Sequence, residues 1–279
     1  MADSLVTAGP PTTVDGRLAA SAAGEVVRDI ARGGIAGIIV GILVAGLGGR
    51  LVMRVATIRH EDTVGMFTEN GEVIGRITLE GTLALMTFGG LGMGFLAGTI
   101  WVIVGPWVPG RGIVRALVTA IAAIALGAPP LIQRTNPDFV VLGNDPIVVA
   151  LLVALVGLVG FTIALVDGAL DARLPHPLRR IRTSTTVYLI ITLMGLVLIL
   201  PVVISILLVQ PEYRASIRAG WALAVVGACT LTWWVLLVKG RSAPPKALRL
   251  AGTVSLVVAM VLGLMTSVPH ILGAAGAPS

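Results

Sequence analysis

From Ile147 to Val166 the chain reads IVVALLVALVGLVGFTIALV, without one charged side chain. A helix of that length covers about 30 Å, the thickness of a bilayer's hydrocarbon core. Similar apolar runs recur, and they predict spanning helices over 33–56, 80–105, 113–132, 146–167, 184–210, 219–238 and 250–272. Charged residues make up 12% of the chain, against about 25% in a soluble domain. A soluble core could not hide this much apolar surface. Within lipid, a helix satisfies its own backbone hydrogen bonds, so the expected fold is an all-α polytopic membrane protein with about seven transmembrane helices.

The weakest expected span is the third, which ends in Pro129-Pro130, and Pro201 is expected to act as a kink or hinge in the overlong fifth. Residues 1–16 read as a disordered tail and 17–32 as an amphipathic lead-in helix at the membrane surface. A single transmembrane domain follows over 33–273, with a short tail at 274–279. The N-terminal stretch lacks the charged end and apolar core of a signal peptide, so the first span is expected to be retained.

The net charge of +6 comes from basic residues in short loops beside apolar runs, a pattern that sets membrane orientation and gives no footing for nucleic acid. Thirteen of the 20 Lys and Arg fall on the side of the N-terminus. That bias predicts a multi-pass cell-membrane protein with a cytoplasmic N-terminus and an extracytoplasmic C-terminus. Trp107, Tyr188, Trp221, Trp233 and Trp234 lie near expected helix ends, where an aromatic belt would stand.

One insertion, over 62–79, departs from the apolar pattern. Its core, TENGEVIG, places Asn70-Gly71 where a type I′ turn needs two positive φ angles. Phe67 then faces Ile74 across a β-hairpin. A lone hairpin is marginal in water, and residues 139–142 offer a third strand for a small extracytoplasmic cap. With Phe67, Asn70, Gly71 and Ile74 at its centre, the cap is a candidate surface for a protein partner or a second copy of the chain.

Inside the spans, Gly33, Gly37, Gly41 and Gly49 recur at multiples of four residues, as do Gly90, Gly94 and Gly98. Small residues at that spacing let helix backbones approach closely. Arg50 and Arg54 stand one turn apart at the far end of the first span, with Glu80 as the expected counter-charge. An ion pair and an anion or lipid-headgroup site are both open readings there. Arg115 and Asp167 are expected to pair at the opposite side. The acidic stretch from Glu61 to Glu80 matches no metal-ligand spacing, and the single Cys229 reads as a buried structural thiol.

Phosphate-loop, zinc-helix and nucleophile-elbow motifs are missing from the sequence. Neither a catalytic centre nor a cofactor is expected, and the bilayer is the one certain surrounding. The leading expectation is a non-enzymatic scaffold or accessory subunit with an extracytoplasmic recognition cap. The alternative is a channel or facilitator for a small or lipidic solute.

Overall fold

The computed structural model describes residues 13–66, 79–132, 145–175, 186–190, 193 and 217–275. The hairpin residues 67–74, the third-strand segment 139–142 and Pro201 lie outside these residues. All regular structure among the described residues is helical, and no strand occurs among them. The helices are α1 (Thr13–Val40), α2 (Leu47–Arg59), α3 (Leu79–Ala84) and α4 (Gly92–Val104), then α5 (Gly112–Leu131), α6 (Pro146–Arg173), α7 (Ile217–Val238) and α8 (Lys246–Ala274). A π-helical turn, Gly41–Gly46, joins α1 to α2, and a second, Leu85–Leu91, joins α3 to α4.

Among the described residues, five helical stretches are long and apolar enough to cross a bilayer: Ala22–Arg59, Leu79–Trp107, Pro146–Arg173, Arg218–Val238 and Lys246–Ala274. Gly112–Ala128 is a shorter apolar helix, and it covers most of the expected third span. The chain is an all-α membrane protein. Of the expected fifth span, 184–210, only residues 186–190 and 193 are described.

The segment 17–32 is the first part of α1 and runs into the first span without a break. Its last two turns belong to the bundle, since Arg28 and Ala31 are both buried.

The first two spans cross on glycine. A Cβ on Gly37 would stand 2.7 Å from the Cα of Gly98, and one on Gly94 would stand 3.0 Å from the Cα of Gly41. A Cβ on Gly98 or Gly90 would meet the carbonyl oxygens of Gly33 and Gly41, each at 2.8 Å. The backbones themselves are in contact, so van der Waals packing holds this pair where lipid gives no hydrophobic push between helices. The two π turns face each other at this crossing.

An i→i+5 turn accommodates one extra residue, which rotates everything beyond it. The seam therefore passes from Gly41 to Gly46, five residues on, where a Cβ would stand 3.1 Å from the Cα of Met86. Gly49, expected on the seam, instead has open space around it. The extra residue has turned it away and brought Arg50, one turn beyond Gly46, onto the seam's face.

Each end of α6 has a local cause. Asp145 caps its N-terminus, its Oδ1 accepting the Ile147 N–H at 2.7 Å, and Pro146 takes the first helical position, where no N–H is required. Pro175 follows closely after the last turn. Small residues then bring α5 against α6 and α8: a Cβ on Gly160 would stand 2.6 Å from the Thr119 carbonyl oxygen, and Ser267 donates to the Ala125 carbonyl at 2.8 Å.

The expected aromatic belt is only partly a belt. Trp221 is exposed, but Tyr188 and Trp107 are buried. Trp107 Nε1 donates to Thr230 Oγ1 at 2.7 Å, and that hydroxyl reaches the Ile103 carbonyl at 2.7 Å. Gly252 lies directly against the indole, where a Cβ would come within 2.9 Å of Cγ. Because the ring fills the corner between the second span, α7 and α8, it cannot face lipid.

Gly94→Leu is expected to destabilise the bundle by roughly 1–3 kcal/mol through overpacking, whereas Gly168→Leu, with nothing within 4 Å of its Cβ position, should be tolerated. Folded yield and Tm of the two variants in detergent measure the difference; equal values would place the seam against lipid.

Candidate functional site

Among the described residues, the ion pairs of the bundle gather at its two ends. At the end where the first span begins, α1 runs antiparallel to α6. Arg32 Nε donates to Asp167 Oδ1 at 2.7 Å, and its Nη1 donates to Asp171. Arg28 Nη1 reaches Asp171 Oδ1 at 2.8 Å, while Nη2 reaches the main-chain oxygens of Asp171 at 2.8 Å and Leu174 at 3.1 Å. Those carbonyls belong to the last turn of α6, which has no helical donors left to satisfy them. A cation there also complements the helix dipole.

Asp29 joins through Arg32 Nη1 at 3.3 Å. Arg115 stands with Nη1 4.0 Å from Asp167 Oδ2 and donates from Nη2 to the Gly105 carbonyl at 2.8 Å. Its guanidinium lies 4.8 Å over the Trp101 ring, a cation–π contact. Three arginines thus face three aspartates. The cluster is balanced in charge even though Arg28 and Asp167 are each only 2% exposed.

At the opposite end, Arg59 Nε donates to Asp145 Oδ2, and His60 Nε2 lies 3.0 Å from the same oxygen. Burial works against ionisation of Asp145, but hydrogen bonds from Arg59, the Ile147 N–H and His60 outweigh it and hold its carboxyl down at about 2. The carboxylate is therefore charged throughout the neutral range. Between Asp145 and Asp167, α6 is about 33 Å long, close to the ~30 Å hydrocarbon thickness. The same two spans are clasped at both ends of that length.

The predicted Arg115–Asp167 pair is present at the outer limit of contact, but the closest partner of Asp167 is Arg32. In the sequence, Arg28, Arg32 and Arg59 bear on orientation through the count of basic residues, and composition assigns Asp145 and Asp171 no partner. A signal was there: Arg28 and Arg32 are four apart, as are Asp167 and Asp171, so each pair lies on one helix face.

Arg54 and Glu80 are both exposed, and no ion pair joins them among the described residues. Arg50 is half-buried, with Nε and Nη2 buried and without a hydrogen-bond partner among the described residues. Among the described residues no group of three or more His, Cys, Asp or Glu is placed to hold a metal ion. Cys229 is a buried free thiol.

Asp167→Leu is expected to cost about 3–5 kcal/mol, because Arg32 would lose its best buried partner. Arg32→Leu combined with Asp167→Leu should recover much of that loss, since an apolar pair can replace a buried ion pair at little cost. Unfolding in mixed micelles compares the two; a double variant no better than the single one would show that the clasp is not a pairwise unit.

No protein-family model, curated protein or solved structure matches this chain.

Proposed function

We propose that the protein is a non-enzymatic membrane scaffold or accessory subunit. In this reading seven spans carry an extracytoplasmic recognition cap formed by the hairpin insertion 62–79 and the segment 139–142. The observation that carries it is the Arg59–Asp145–His60 contact. Arg59 and His60 form the stem of the first loop, and Asp145 ends the third. A buried carboxylate shared by both stems holds the two loop bases together, where a hairpin and a third strand would have to meet. The double clasp between the first span and α6 supports the same reading, because it resists the rocking of one helix set against another that alternating access requires.

The channel or facilitator reading keeps one specific support, the two facing π turns, since such turns are frequent at functional sites. Its expected path along the glycine seam meets backbone contact too close for an added Cβ. The solute would need another route.

The proposed orientation places the N-terminus in the cytoplasm and the C-terminus outside, following the excess of basic residues on the N-terminal side. A reporter active only in the cytoplasm, fused after Ser279, should be silent; strong activity would reverse the orientation or remove one span.

Gly71→Val tests the cap. A β-branched residue adopts positive φ only with strain, so the variant should open the turn without altering a membrane helix. Insertion and yield should be unchanged, while self-association or retention of a co-purifying partner should be lost. Assembly equal to that of the unmodified chain would overturn the scaffold reading, and a change in solute flux with assembly intact would favour the facilitator.

A further inference from the structure

We propose that Arg50 and Arg54 form a binding site for an anionic phosphate group on the face of the first span near Leu79–Leu91. Five arginines stand along Ala22–Arg59. Three of them, Arg28, Arg32 and Arg59, each meet an aspartate carboxylate at an edge of the membrane. Arg50 and Arg54 meet none among the described residues, Glu80 included.

Their setting makes that difference consequential. Arg50 lies about 13 Å of helix inside Arg59, well within the hydrocarbon edge marked by the Arg59–Asp145 clasp. The π turn sets it one turn beyond Gly46, on the helix face that rests on Met86, and its Nε and Nη2 are buried and unpartnered among the described residues. An arginine side chain does not deprotonate in proteins, so this charge cannot be relieved by losing a proton. A bound anion would relieve it. Arg54, exposed and one turn nearer the surface, supplies a second guanidinium on the route by which an anion would arrive. Two planar forks one turn apart suit the several oxygens of a phosphate mono- or diester, which guanidinium binds in bidentate fashion. That chemistry is offered by a lipid headgroup drawn down from the adjacent leaflet and by a free phosphate in solution.

The site is independent of the scaffold reading, and its test does not use assembly. The full chain is placed in nanodiscs of phosphatidylcholine, in nanodiscs containing phosphatidylglycerol, and in phosphatidylcholine nanodiscs with added inorganic phosphate, and Tm is read in each. Tm should rise with phosphatidylglycerol, with phosphate or with both. The rise should be at least halved in Arg50→Gln and in Arg54→Gln, and retained in Arg241→Gln, an exposed arginine outside the site. A response to phosphatidylglycerol alone identifies a headgroup, and a response to inorganic phosphate identifies a soluble anion. Should Arg50→Gln fail to fold, Arg54→Gln carries the measurement, because its exposed side chain is not part of the packing. The absence of any rise, a full rise in both site variants, or an equal loss in Arg241→Gln would overturn the proposal.

Discussion

A guanidinium keeps its charge at any pH a cell meets, and a bilayer has little to solvate it with. The architecture of the first span follows from that constraint. Arg28 and Arg32 sit where α6 presents Asp167 and Asp171, and Arg59 sits where α6 begins with Asp145. Each contact needs the two helices at one depth and one rotation. Sliding either helix by a single turn would strand several charges together. The register of the first span against α6 is therefore fixed by electrostatics at the edges, and apolar packing fills what lies between.

Packing between the clasps follows a different principle. The glycine crossing of the first two spans has backbone against backbone, and the seams of α5 with α6 and α8 use Gly160, Ala125 and Ser267 to the same end. Contacts of this kind are short-ranged and tolerate no added volume. The clasps give alignment and the glycine and alanine seams give closeness. Trp107 stands where the two schemes meet, at the corner near Arg115, with its ring against Gly252 and its N–H in a hydrogen-bonded chain through Thr230 to Ile103.

The membrane class and most of the spans were legible because lipid imposes length and polarity on every crossing segment, and both are written in composition. The glycine seam was legible as far as Gly41 for the same reason that it failed at Gly49. Four-residue spacing is the signature of an unbroken α-helix, and no residue type announces an i→i+5 turn. Trp107 was misplaced because a tryptophan near a helix end looks alike in sequence whether it faces headgroups or a corner between helices. The clasps went unread for a subtler reason. A count of Lys and Arg by side of the membrane discards the spacing that matches Arg28 and Arg32 to Asp167 and Asp171. Which arginine meets which aspartate is a tertiary fact, and spacing narrows that choice without making it.

The π turn at Gly41–Gly46 also ties chain length to chemistry. Losing one residue there would let the helix revert to regular α geometry, with an intact backbone and no polar group exposed. Because the wide turn is what takes up the extra residue, α2 would keep its faces toward the second span and α6. Gly46 would stay on the seam, Arg50 one turn beyond it, and Arg59 at Asp145. The same single-residue deletion below Gly46 has no wide turn to absorb it, and it would rotate the rest of α2 by about 100°. Arg59 would then swing off Asp145, so this span can shorten by one residue at the turn itself and nowhere between the turn and the clasp.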